Sequence, residues 1–265
     1  MGKGKNNEEL FRSMPVAQAI LTLAVPTVVS QIITIIYNMA DTFFIGQLGD
    51  PKQVAAATLA MPLFMFMTAL SNLFGVGGAS LISRFLGGGE REKASRCGAF
   101  CIWTAAAVSV LYGLMVLAGR PVLLPVLGAN EETCDMASSY LFWTIGLGAL
   151  PTVMNPVLAH LIRSEGYSRQ ASLGVAFGGI LNMVLDPLFI YGLHLQITGA
   201  AVATLISNAT AMIYFLAFIW KMRGVSVLTL SPEMYTLGEH IPAEVISVGM
   251  PSFLISMMGT VSNMV

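Results

Sequence analysis

The sequence predicts an all-α fold, a polytopic membrane helical bundle with six transmembrane helices and a truncated seventh, and three observations carry that prediction. Of its 265 residues, 55% are hydrophobic and only 10% are charged, a composition typical of membrane proteins and rare in soluble domains. The charges fall in short clusters between apolar runs, each long enough to cross about 30 Å of hydrocarbon. Pro26 and Pro251 open two stretches that match without a gap at an offset of 225 residues, which marks an internal repeat.

In chain order, residues 1–14 read as a polar cytoplasmic arm carrying Lys3, Lys5 and Arg12. Six apolar segments follow, at Ala17–Gly46, Val54–Phe85, Ser95–Ala118, Ala137–Ile162, Ser168–Tyr191 and Ile197–Trp220. A seventh starts near Ile241 and is cut off at Val265. The expected organisation is the arm, a six-helix lobe over 15–223, a linker over 224–240 and the truncated start of a second lobe over 241–265.

Lys and Arg give the orientation. The arm and the loops after the second, fourth and sixth segments hold eleven of them, against Lys52 and Arg120 on the other side, so the N-terminus is expected in the cytoplasm. Depth then follows at about 1.5 Å per helical residue. Asp41 lies nine residues before Asp50, Asp186 a few residues before the turn at His194, and Thr204 about ten residues after that turn. All three are expected in the outer half of the membrane, on segments one, five and six.

An ionised carboxylate at a helix centre costs about 2.5–3.5 kcal/mol even on the gentlest insertion scales, so an intramembrane acid is a candidate functional group. Asn182 and Asp186 share one helix face, as do Tyr37, Asn38 and Asp41. Pro187 frees a carbonyl one turn back, and Pro26 is a candidate bend, so both are candidate hinges. Two carboxylates facing one low-dielectric cavity are held there by a proton or by a bound cation, and the entry of one favours release of the other. That is the chemistry of a coupled exchanger. The competing structural readings are an acid tied to a neighbouring helix for Asp41 and a cap on a broken helix for Asp186.

Other features read as structural. Gly174-x-x-x-Gly178 would seat a neighbouring helix, and Cys97 and Cys101 would pack within the bundle. His160 needs no role beyond an interfacial one, and Glu90, Arg91, Glu92 and Lys93 form a solvated loop that sets topology. There is no basic face for nucleic acid, no nucleophile with its base, no paired histidines and no phosphate-cradling loop after a strand. An enzyme is therefore not expected.

The repeat lays Leu23–Met39 on Val248–Met264, with Pro, Asn and Met coinciding. A start-of-repeat sequence that returns after six helices suggests a parent of two six-helix halves. Pro26, Tyr37-Asn38-Met39-Ala40-Asp41 with Gly46, the Gly87–Ala94 loop and Asn182-x-x-x-Asp186-Pro187 together resemble the multidrug and toxic compound extrusion (MATE) family. The nearest branch is the DNA-damage-inducible-protein-F-like one, and the match runs from about Ser13 to Val265.

The resemblance implies a twelve-helix plasma-membrane antiporter that exchanges Na+ or H+ for organic, often cationic, drug-like compounds by alternating access. It places the coupling site, or the metal site if Na+ is the ion, at Asp41, Asn182, Asp186 and Thr204, with Tyr37 and Asn38 lining the substrate cavity. No cofactor is implied beyond the coupling ion, and the partners are membrane lipid, the substrates and a C-terminal lobe either missing or on a separate chain. The alternatives are a non-transporting fragment or half-transporter, and a flippase for a lipid-linked precursor.

Overall fold

A computed structural model describes residues 15–238 and 240–264, with the side chains of residues 16, 19 and 259–264 excepted. The basic arm of residues 1–14, Glu239, Val265 and the side chain of Asn263 in the repeat lie outside the described residues. Every regular element among those described is helical. The main helices are α1 (Val16–Gly46), α2 (Pro51–Gly87), α3 (Arg91–Val126), α4 (Glu131–Leu141), α5 (Ala149–Ser164), α6 (Ser168–Pro187), α7 (Gln196–Lys221) and α8 (Ile241–Met264). Six of them are long and apolar enough to cross a membrane, and α4 with α5 forms a seventh candidate span bent by 46°.

That bend corrects the uninterrupted run expected over Ala137–Ile162. Between α4 and α5 the chain forms a wide turn over Phe142–Leu147. Pro151 has no N–H to return to Leu147, and Gly148 packs so tightly that a Cβ there would lie 2.2 Å from the Thr144 carbonyl oxygen. Gly113 of α3 fits the break, since a Cβ on it would lie within about 3 Å of the Ile145 and Gly146 carbonyls. A second wide turn, Leu188–Gly192, follows Pro187. Both lie beside the polar cluster described below.

At the end of the bundle bearing Lys52 and Glu132, side chains stitch the turns together. Gln53, buried at the start of α2, donates to Gln196 at 3.0 Å and accepts the Ile197 N–H at 3.1 Å. Tyr191 donates to the Phe44 carbonyl at 2.8 Å, fastening the end of α1 to the turn after α6. Gly199 brings α7 against the backbone of Phe189, which no side chain at that position would allow. Arg120, two residues beyond the expected end of the third segment, donates to the Ser138 carbonyl and hydroxyl.

The opposite end carries the basic loops. There Glu165, only 6% exposed, holds the start of the linker. It accepts from the Val227 and Leu228 N–H groups at 2.7 and 2.9 Å and from the Ser226 hydroxyl at 2.6 Å. Gly166, with φ +87°, makes the turn that presents it. Arg91 donates to the Val225 carbonyl at 2.9 Å, which corrects the reading of Glu90–Lys93 as a purely solvated loop. Burial pushes the Glu165 carboxyl above its ordinary value, opposed by its bonds to Ser226, Leu228 and Val227 and by the Arg91 charge.

Candidate ion-coupling site

The site is built where α1, α6 and α7 meet. Small residues set the spacing, as the Gly174-x-x-x-Gly178 face of α6 receives Phe215 and Tyr214 at one step and Ala211 at the next. On the neighbouring face Gly179 receives the ring of Tyr37 and the methyl of Ile33. Any Cβ at 174 or 179 would collide with an aromatic ring, so glycine is what lets α7 and α1 approach. Tyr37 is thereby placed between α1 and α6.

With the helices at that distance, Asn182 and Asp186 point into the bundle at 3% and 0% exposure. The Asn182 amide nitrogen donates to Asp186 Oδ1 at 3.2 Å and to Thr204 Oγ1 at 3.4 Å. Asp41, half-buried on α1, is close enough to Asp186 to interact electrostatically, and Tyr140 of α4 senses both carboxylates. The four residues expected at the coupling site are therefore brought together.

The satisfaction of their polar atoms is uneven. Asp41 Oδ1, Asn182 Oδ1 and Asp186 Oδ2 are buried with no hydrogen-bond partner among the described residues. A buried acceptor left unpaired costs about 1–3 kcal/mol, and more when charged. Two of these oxygens belong to Asn182 and Asp186 on α6, where the Asn182 amide reaches the Thr204 hydroxyl, and the third belongs to Asp41 on α1.

Asn38 does not join this cluster. It is exposed on α1, one helical position from Tyr37, because a face shared with Asp41 still spans about 100° of the helix. His160 packs its ring against Gly75. Cys97 and Cys101 are fully buried.

Two sets of groups were not expected. Tyr140, 7% exposed, faces both acids from α4. Beyond Thr204 on α7, Asn208 accepts from the Asn155 amide at 2.8 Å and donates to Thr152 at 3.4 Å, and Ser207 Oγ and Asn155 Oδ1 are unpaired among the described residues. The available signal was three asparagines, 155, 182 and 208, inside apolar segments.

A multi-pass helical bundle with a buried oxygen-rich cluster between its helices defines a membrane protein of the transporter class. A family model described as MatE matches residues 26–188, and the chain belongs to that family of multidrug efflux transporters, which are not enzymes.

Among its relatives, multidrug export protein MepA of Staphylococcus saprophyticus is 31% identical over 255 residues, covering 96% of this chain and 56% of its own. MepA of Staphylococcus aureus strain NCTC 8325 is 30% identical over 248 residues, covering 94% and 54%. A solved structure of MATE in complex with MaD3S superposes with a TM-score of 0.90 at 28% identity, covering 97% of this chain and 57% of that one. An outward-facing MATE transporter of the MOP superfamily gives 0.87 at 28% identity, covering 97% and 56%. The chain thus spans about half the length of the curated relatives it matches.

Proposed function

We propose that this chain forms the N-terminal lobe of a secondary antiporter, which exports organic, often cationic, compounds in exchange for Na+ or H+ by alternating access. The observation that carries this reading is the set of unpaired buried oxygens on Asp41, Asn182 and Asp186 beside Thr204. An entering cation draws the carboxylates into their ionised form and expels a shared proton, and re-entry of the proton releases the cation. The excess of Lys and Arg in the loops after α2, α5 and α7 supports a cytoplasmic N-terminus in the plasma membrane.

The test is export of a fluorescent cationic dye from cells that express the complete reading frame to which this chain belongs. Asp41→Asn and Asp186→Asn are each expected to reduce ion-driven export to background while leaving the amount of membrane-inserted protein unchanged. Normal export by both variants would remove the coupling site from the account.

A further inference from the structure

Arg163, in the last turn of α5, is a cation without an anion. Its Nη2 donates to the Ser30 hydroxyl of α1 at 3.3 Å, while its Nε is buried and has no hydrogen-bond partner among the described residues. No carboxylate among those residues lies within ion-pair distance of it. Glu165, the acid nearest in sequence, is committed to Ser226, Val227 and Leu228, and Asp41 stands eleven residues beyond Ser30 on α1, about 16 Å along the helix. His160, one turn before Arg163, is close enough to feel its charge and packs on Gly75 of α2. It brings no negative charge either.

A second unsatisfied donor reaches the same place from α6. Ser172 is 7% exposed, and its hydroxyl has no partner among the described residues. Helices α1 and α6 run side by side in the same direction, since Gly179 meets Ile33 and Tyr37, and Tyr191 just beyond α6 bonds to Phe44 near the end of α1. Seven residues make almost two full turns, so Ser172 lies on the face of Gly179 about 10 Å nearer the basic end. That is the level of Pro26 and Ser30. Ser30, 1% exposed, gives its own proton to the Thr27 carbonyl and accepts from Arg163, so its part is to orient the guanidinium. The free donors are Arg163 Nε and the Ser172 hydroxyl.

A buried charge is normally paired, and a cation at the edge of hydrocarbon needs a counter-charge. The surroundings here supply donors and no acceptor of negative sign. They are also closed, so the missing partner is small, and it carries one charge, because a doubly charged phosphate would leave an excess negative charge in the same space. We infer that Arg163 Nε and the Ser172 hydroxyl bind a chloride ion between α1, α5 and α6, with Ser30 holding the guanidinium in place. The site lies at the opposite end of the lobe from Asp41 and Asp186 and does not depend on ion coupling.

Thermal unfolding of the complete polypeptide to which this chain belongs, purified in detergent, tests it, with Na+ held constant and gluconate exchanged stepwise for chloride. The melting temperature is expected to rise by several degrees and to saturate, and bromide is expected to act alike. Ser172→Ala should raise the chloride concentration at half effect severalfold, Arg163→Gln should abolish the response, and Asp186→Asn should keep it. A crystal grown in bromide should show an anomalous peak between Arg163 Nε and Ser172 Oγ, which decides the matter even if Arg163→Gln does not fold. Equal melting temperatures in chloride and gluconate, a chloride response that Ser172→Ala leaves unchanged, or bromide found only elsewhere would overturn the inference. So would stabilisation by an anionic phospholipid in gluconate with none from chloride. Because Na+ is constant throughout, none of these outcomes touches the Asp41–Asp186 reading.

Discussion

Glu165, in the turn before α6, and Asp186, near the end of α6, are both buried carboxylates, and their surroundings are opposite. Glu165 is fastened to Ser226, Val227 and Leu228 with both oxygens accepting. Asp186 has one oxygen held by Asn182 and the other bare, with Asp41 showing a second bare oxygen beside it. A carboxylate whose oxygens are all used is part of the framework, because nothing further can bind without breaking a bond. One that keeps an unused oxygen in a buried place bears a cost that a proton, a water or a bound cation would relieve. Burial alone therefore does not distinguish the two acids, and the state of the second oxygen does.

The sharpest way to break this comparison is Glu165→Ala. It leaves the buried Val227 N–H and the Ser226 hydroxyl without their acceptor and the Leu228 N–H with only Ser226 Oγ at 3.0 Å, so a loss of about 3 kcal/mol is expected. For a chain of this size that lowers the melting temperature by about 6–12 °C, and limited proteolysis should cut near Val225–Leu228 sooner than in the parent protein. An unchanged melting temperature and digestion pattern would deny Glu165 its framework role. Asp186→Asn, measured without added cation, should shift stability by less than about 1 kcal/mol, because it removes a charge that has no full set of partners.

The smallest effect concerns pH. Burial raises the Glu165 carboxyl above its ordinary 4.5, so the folded chain holds that proton more tightly than the unfolded chain. The associated stability is full below 4.5 and is lost as pH rises through the folded value. Relative to Glu165→Gln, which does not titrate, the protein should lose melting temperature as pH is raised from 4 towards neutrality. A difference that stays flat or grows over that interval would mean that its hydrogen bonds, rather than burial, dominate the carboxyl.

The readable parts of the site were those whose cost is local. Asp41 and Asp186 stand out because a charge in an apolar run is expensive wherever the neighbours lie, and Asn182 follows from its spacing to Asp186. Thr204 emerged from its depth and from the family resemblance. Tyr140 did not emerge, because an aromatic near a helix end resembles an interfacial anchor, and the wide turn at Phe142–Leu147 that follows it is set by packing against Gly113. Glu165 and Arg91 lie in loops where charge already has a topological meaning, and their grip on the linker depends on segments about sixty and more than a hundred residues apart. The helical bundle was legible from hydropathy, but the donors around Arg163 became visible only once α1 was seen against α5 and α6.

The central claim is that Asp41 and Asp186 hold either a proton or a cation and exchange one for the other. It is tested most directly by adding Na+ to purified protein in weakly buffered solution and following proton release with a pH indicator, with choline at equal ionic strength as the blank. The account predicts release on Na+ addition and none from Asp186→Asn at an unchanged melting temperature. Equal release from the variant, or none from the parent protein, would contradict it.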